Sequence, residues 1–115
     1  MHELGICDAL LKMLRNVAEE EQLQNVQSIT VEVGTLSGVV PRFLSDCWQA
    51  VIDGTEFAAV DMIVETVEGE AQCIECGERF VADLERLRCP NCGGNKLTPV
   101  SGTDLTLKEI LESNF

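Results

Sequence analysis

The sequence predicts an α+β fold in which two helices lie on a small three-stranded sheet, with a four-cysteine zinc ribbon inserted before the last strand. Three observations support this prediction. Two segments repeat apolar residues at three- and four-residue spacing, as amphipathic helices do, and other segments alternate apolar and polar residues, as half-buried strands do. Two Cys-x-x-Cys pairs then occur between residues 73 and 92. A chain of 115 residues is long enough for one domain with a small subdomain.

The two helices are predicted early in the chain. The first covers residues 4–22, where the apolar residues share one face and the charged residues lie elsewhere. The second runs from Pro41 to about residue 53, because proline is favoured at the first helical position and Gly54 follows at a usual C-terminal position. The apolar face of the first helix contains Leu4, Cys7, Leu10, Leu11, Leu14, Val17 and Ala18.

Three strands complete the predicted sheet. Residues 28–34 alternate between apolar and polar side chains, and residues 61–68 form a second apolar-rich strand. Residues 104–111 fit either a strand, through leucines at odd positions, or a helix. We predict a strand there, because two strands alone make a marginal sheet and a third completes it.

Four cysteines provide a complete ligand set for one ion: Cys73, Cys76, Cys89 and Cys92. The spacing C-x2-C-x12-C-x2-C lets two tight turns present four thiolates as a tetrahedron, the geometry that zinc prefers. The glycine after each pair permits the positive φ that such a turn requires. Because cysteine fills all four positions, no position stays open for a substrate. The sequence therefore predicts a structural zinc and not a catalytic one.

Other interpretations of these cysteines exist. Disulfides are disfavoured, because we see no hydrophobic signal segment at the start and expect a reducing cytoplasm. A redox Cys-x-x-Cys would need only one pair, placed at a helix start. A rubredoxin-like iron site uses the same four ligands, so the alternative function is a zinc-ribbon protein-interaction module or a rubredoxin-like electron-transfer module. Phe80 is the only aromatic residue between the pairs, which disfavours the aromatic core typical of such electron-transfer folds.

The charge distribution argues against a nucleic-acid partner. The chain has 20 acidic and 8 basic residues, a formal net charge of −12. Nucleic-acid affinity depends on basic residues that replace phosphate counterions, and the ribbon has no excess of them. No apolar run reaches the length of a membrane span, so we expect no membrane partner and a cytoplasmic location. The charged residues of the ribbon are Glu75, Glu78, Asp83 and Glu85 against Arg79, Arg86, Arg88 and Lys96.

A second metal site is predicted at the amino terminus. His2 is the only histidine in the chain. The α-amine of Met1, the backbone nitrogen of His2 and the imidazole can close two adjacent chelate rings around one ion. Glu3 can add its backbone nitrogen or its carboxylate. Square-planar ligation by nitrogen and oxygen is typical of Ni(II) or Cu(II).

Together these features resemble the HypA/HybF family of hydrogenase-maturation nickel metallochaperones. The resemblance covers the full chain length, from the opening Met-His-Glu before an amphipathic helix to the last strand. It includes Glu32-Val33-Gly34, then Leu36-Ser37, and the two cysteine pairs. Family members often carry an acidic residue just before the second helix, where this chain has Val40. Glu3 or its backbone amide is therefore the predicted fourth nickel ligand.

The resemblance implies a function. It implies a nickel-binding α/β domain over residues 1–70 and 100–115, and a zinc-ribbon domain over residues 71–99. Nickel would bind at Met1, His2 and Glu3, with His2 essential, and structural zinc at the four cysteines. Such a protein is not an enzyme: it passes Ni(II) to the large subunit of NiFe hydrogenase, working with the GTPase HypB. Some relatives also serve urease, and some members form homodimers.

Overall fold

The computed structural model describes residues 3–82 and 84–113, and within them it has two helices and six strands. The strands form two three-stranded sheets, with the orders β2-β1-β6 and β4-β3-β5. The predicted fold class is confirmed, and residues 104–111 fall almost entirely within a strand, as predicted. The elements are α1 (Glu3–Glu20), β1 (Val26–Gly34), α2 (Pro41–Ile52), β2 (Asp61–Val67), β3 (Gly69–Cys73), β4 (Arg79–Ala82), β5 (Leu97–Pro99) and β6 (Leu105–Glu112).

The chain divides into two compact units. The first contains the chain up to Val31, the stretch Val40–Val64, and the chain from Leu107 onward. The second contains Glu32–Val39 and Glu65–Thr106, which includes both cysteine pairs. Within residues 3–82 and 84–113, neither helix has the length and apolar character needed to cross a membrane.

The core of the first unit lies where α1 and α2 pack against each other. Trp48 of α2 is fully buried, and its indole N–H donates a hydrogen bond to the Val60 carbonyl at 2.9 Å. That bond satisfies a donor that would be costly to bury alone. Leu4 was predicted on the apolar face of α1, but its side chain is 54% exposed. The other buried residues of this core include Cys7, Leu10, Leu11, Leu14, Ile29, Val31, Leu44 and Ile52.

Helix α1 ends slightly earlier than predicted, in a Schellman motif. The Leu23 N–H donates to the Ala18 carbonyl at 2.9 Å, and the Gln22 N–H donates to the Glu19 carbonyl at 3.3 Å. Gln22 has a φ of 53°, the left-handed conformation that this motif requires. The chain thereby leaves the helix and turns toward β1 without a glycine.

Strand β2 is more exposed than its apolar composition predicts. Ile63 and Val67 are exposed, whereas Met62 and Val64 are half-buried. Alternate side chains of a strand point to opposite faces, so the odd-numbered residues share the exposed face. Because β2 is an edge strand of its sheet, its apolar side chains need not all be buried.

In the second unit, Thr35 connects three segments of backbone. Its own N–H donates to the Val67 carbonyl at 2.9 Å. Its hydroxyl accepts a hydrogen bond from the Gly69 N–H at 2.9 Å and donates one to the Ala82 carbonyl at 3.1 Å. The turn after β1 is thus fastened to both strands of the β3–β4 hairpin.

Three glycines lie next to this connection and let the backbones approach closely. A Cβ atom on Gly34 would lie 2.0 Å from the Gly102 carbonyl oxygen, and one on Gly102 would lie 2.3 Å from the Gly69 Cα. Any side chain at these positions would force the backbones apart. Gly102 also has a φ of 76°, which other residues rarely adopt.

Strand β3 is the central strand of the ribbon sheet. It pairs antiparallel with β4, with Gly69 opposite Ala82, and antiparallel with β5, with Cys73 opposite Leu97. The strand ends at Cys73, so the first cysteine pair begins where the sheet stops.

Candidate metal centre

The first cysteine pair lies in the turn between β3 and β4. The Cys73 N–H donates to the Glu78 carbonyl at 2.8 Å, and the Gly77 N–H donates back to the Cys73 carbonyl at 2.9 Å. Gly77 has a φ of 80°, as predicted for the residue after the pair. The turn therefore directs the sulfurs of Cys73 and Cys76 to the same side.

The second pair repeats this geometry before β5. The Cys89 N–H donates to the Gly94 carbonyl, and the Gly93 N–H donates to the Cys89 carbonyl, both at 2.8 Å. Gly93 has a φ of 75°. The same hydrogen bonds at the same spacing make the two turns equivalent, so each presents two sulfurs in the same way.

The two turns bring the four predicted cysteine sulfurs together. The four Sγ atoms all lie within 4.8 Å of one another. The Cys73 and Cys92 sulfurs are 3.6 Å apart, and the Cys76 and Cys89 sulfurs are 3.5 Å apart. Four sulfurs at a zinc–sulfur distance of about 2.3 Å in a tetrahedron would be separated by about 3.8 Å. The cluster therefore fits one tetrahedral ion such as zinc, and its four sulfurs would complete the coordination.

Burial differs within each pair. Cys73 and Cys89 are buried, whereas Cys76 and Cys92 are exposed. Each turn thus contributes one buried and one exposed sulfur to the site. In the described part of the chain, no other group of three or more histidine, cysteine or acidic side chains is arranged to hold a metal ion.

Hydrogen bonds around the sulfurs favour negative charge. The Asn91 N–H and the Cys92 N–H point at the Cys89 sulfur, at 3.4 and 3.5 Å. The Asn91 side-chain amide and a backbone N–H at Glu78 lower the pKa of Cys76 to about 6. Sulfur must be a thiolate to bind a metal, so these donors prepare the site for a cation.

Cys92 shifts in the opposite direction. The Gly94 N–H lowers its pKa, but the hydrogen bond with Cys73, local desolvation and the other sulfurs outweigh that effect and raise the pKa to about 12. Four sulfurs this close cannot all carry charge without a counterion. A divalent cation at the centre of the four sulfurs would supply the compensating positive charge.

The two cysteines outside the ribbon do not belong to this centre. Cys7 is fully buried, and its thiol donates a hydrogen bond to the Leu44 carbonyl at 3.2 Å. Burial, with the nearby Cys47 and Glu3, raises the pKa of Cys7 to about 12. Cys7 is therefore a packing residue of the core, as predicted. Cys47 is only partly buried.

The predicted nickel site falls largely beyond the described residues. Met1 and His2 lie outside them. Glu3 is the first residue of α1, and its carboxylate oxygen Oε2 accepts a hydrogen bond from the Val40 N–H at 3.4 Å. Asn91 and this contact of Glu3 were not predicted, because no local sequence pattern links residues that are far apart along the chain.

The fold and the four-sulfur cluster define a class: a small α+β protein that carries a metal-binding ribbon inserted before its last strand. A family model described as hydrogenase/urease nickel incorporation, metallochaperone, HypA, matches residues 1–111. The chain belongs to this HypA family.

Relatives agree with this assignment, and a solved structure shares the fold. The chain is 36% identical to the hydrogenase maturation factor HypA of Prosthecochloris aestuarii over 110 residues, which cover 96% of this chain and 97% of that protein. It is 32% identical to the hydrogenase maturation factor HypA of Streptomyces avermitilis, covering 96% of this chain and 86% of that one. The solution structure of the nickel metallochaperone HypA from Helicobacter pylori has the same fold, with a TM-score of 0.68, 16% identity and 97% coverage of both chains.

Proposed function

We propose that the protein binds Ni(II) at Met1, His2 and Glu3 and delivers it to the large subunit of NiFe hydrogenase during maturation. The observation that carries this proposal is the family match over residues 1–111, which includes the opening Met-His-Glu. The donors are suitable: an α-amine, backbone nitrogens and the single imidazole of the chain can close adjacent chelate rings around one ion. Such nitrogen-rich planar ligation suits Ni(II).

The two metal sites would have different roles. The four cysteines, Cys73, Cys76, Cys89 and Cys92, would hold a structural zinc, because they leave no coordination position for exchange. A cargo ion must instead leave its carrier, which favours donors at the end of the chain over a closed cluster. The fit of the four sulfurs to a tetrahedron supports zinc there, since a tetrahedron of four sulfurs is typical of zinc or iron and a planar site is typical of Ni(II).

This function sets the expected partners. The protein would work with a HypB-type GTPase and hand Ni(II) to the hydrogenase large subunit, in the cytoplasm and without catalysing a reaction itself. Homodimer formation would be compatible with the role. The division into a nickel-binding domain, residues 1–70 plus 100–115, and a zinc-ribbon domain, residues 71–99, belongs to the same proposal. We expect no binding to nucleic acid, since the ribbon carries equal numbers of acidic and basic residues.

Delivery can be tested with purified components. The untagged protein is loaded with zinc and a radioactive nickel isotope and mixed with immature large subunit and the GTPase with GTP. We expect nickel to appear in the large subunit with the parent protein, and not with His2→Ala at equal zinc content. Equal transfer by both proteins would contradict the proposed nickel site. No transfer by either would contradict delivery.

A further inference from the structure

The side chain of Glu3 meets the start of a helix that lies 37 residues further along the chain. Its Oε2 atom accepts a hydrogen bond from the Val40 N–H at 3.4 Å, and Val40 is the N-cap residue of α2. Glu3 also lines a surface cavity with Phe43 and Cys47 of α2. The Glu3 carboxylate therefore lies beside α2, although Glu3 is the first residue of α1.

Within α2 itself, no side chain plays this part at its start. Val40 makes no side-chain cap, and no acidic residue occurs in the first turn of α2. The first N–H groups of a helix have no intrahelical acceptor, and this end carries partial positive charge. Glu3 is also the acidic residue in the first turn of α1. One carboxylate thus serves the amino-terminal ends of two packed helices.

The backbone nitrogen of Glu3 is in a different situation. At the first position of α1 it is one of the amides that a helix leaves without an intrahelical acceptor. The hydrogen bonds within α1 therefore do not occupy this nitrogen, whereas the side-chain oxygen accepts the hydrogen bond from Val40. The two atoms of Glu3 that could bind nickel, the backbone nitrogen and a carboxylate oxygen, therefore differ in their hydrogen bonding.

We propose that Glu3 is a positioning residue: its carboxylate fixes the first turn of α1 against α2 and is not itself a nickel ligand. His2 is bonded directly to Glu3, so restraining Glu3 limits the directions in which the donors ahead of it can be presented. This inference rests on the proposed nickel site and gives the Glu3 carboxylate a role outside its ligand set. The Glu3→Gln variant keeps a hydrogen-bond acceptor, and Glu3→Ala removes it, so the pair separates the two roles.

The test measures three quantities in the zinc-loaded parent, E3Q and E3A: nickel affinity, the visible absorption band of bound nickel, and hydrogen exchange of the Val40 amide. We expect E3A to lose about two- to ten-fold in affinity, the range that one hydrogen bond supplies. The band should not move, because no ligand is lost, and Val40 exchange should accelerate. E3Q should restore the affinity and the slow exchange.

The matched control is Asp46→Asn. Asp46 is a second carboxylate lining the same cavity, and its neutralisation should leave all three quantities at the parent values. A band that moves in both E3A and E3Q would make the carboxylate a ligand and overturn the inference. So would an E3A variant with parental affinity and parental Val40 exchange.

The outcomes that overturn the positioning role can be distinguished from failure of the nickel site itself. If parent and His2→Ala bind nickel equally, the proposed function is wrong, and with it the ligand assignment. If only the parent binds nickel but E3Q behaves like E3A, the nickel site stands and the positioning role is wrong. Val40 exchange reports the hydrogen bond in either case, because it is measured without nickel as well.

Discussion

The side-chain amide of Asn91 donates a hydrogen bond to the sulfur of Cys76, 3.5 Å away. Asn91 lies in the second cysteine turn and Cys76 in the first, so this bond joins the two turns across the metal centre. The same residue also donates its backbone N–H to the Cys89 sulfur. Asn91 therefore supports ligands from both pairs.

We expect Asn91→Ala to weaken zinc binding by about ten-fold or more, the usual effect of removing a residue that supports metal ligands. The measurement is competition with a chelator of known affinity. Asn95→Ala, at an exposed asparagine of the same ribbon, is the control and should keep the parent affinity. Equal affinities in the three proteins would show that the Asn91 bond contributes nothing to the site.

Removal of zinc should unfold the ribbon and leave the first unit folded. Binding energy at a structural zinc is folding energy for the elements that hold it, here β3, β4 and β5. Trp48 is the only tryptophan and is fully buried in the first unit, so its fluorescence reports that unit alone. After chelation, amide signals of residues 71–99 should lose dispersion while Trp48 emission stays unchanged.

The matching variant is Cys76→Ser, with Cys47→Ser as control. Cys76→Ser removes one of four ligands and should lower zinc content, whereas Cys47 lies outside the cluster. A full zinc equivalent in Cys76→Ser would refute the ligand set. An iron-containing preparation from medium with balanced metals would favour a rubredoxin-like centre.

The hydroxyl of Thr35 should contribute measurably to stability. Thr35→Val keeps the shape but leaves the Gly69 N–H and the Ala82 carbonyl without their partner. We expect a loss of about 1–3 kcal/mol in the free energy of unfolding, measured by chemical denaturation. Thr35→Ser keeps the hydroxyl and should recover most of the loss. A valine variant as stable as the parent would show that the connection is not needed.

Two glycine substitutions should have opposite effects on the stability of the fold. Gly102→Ala combines a φ of 76° with a Cβ that would lie 2.3 Å from the Gly69 Cα. The backbone conformation alone costs about 1–2 kcal/mol with a side chain, and the clash adds to it. Gly5→Ala lies in α1 with no atom within 4 Å of the new Cβ, so it should stabilise by about 0.5–1 kcal/mol. Thermal unfolding of both variants beside the parent provides the comparison.

Much of the fold follows from local patterns in the sequence. The 3–4 spacing of apolar residues in α1 and the proline at the start of α2 predict both helices within a few residues. Residues 104–111 fit two structures, and the need for a third strand gives the right choice. The cysteine spacing predicts the four-sulfur cluster, because short turns fix the geometry of each pair.

The contacts that link distant segments could not be predicted in this way. Thr35 binds Ala82 across 47 residues, and Glu3 binds Val40 across 37. No periodicity relates such positions, and a threonine in a turn or a glutamate in a first helical turn has many common roles. The exposure of Ile63 could not be predicted either, since burial on an edge strand depends on what covers it.

The most direct test of the central claim is a calorimetric nickel titration of the untagged, zinc-loaded protein at neutral pH. Three proteins are compared: the parent, His2→Ala, and a variant with one residue added ahead of Met1, which converts the terminal amine into an amide. We predict about one nickel per parent chain, with binding largely lost in both variants while zinc content and helicity stay unchanged. If both variants bind nickel like the parent, the nickel site lies elsewhere and the account is wrong.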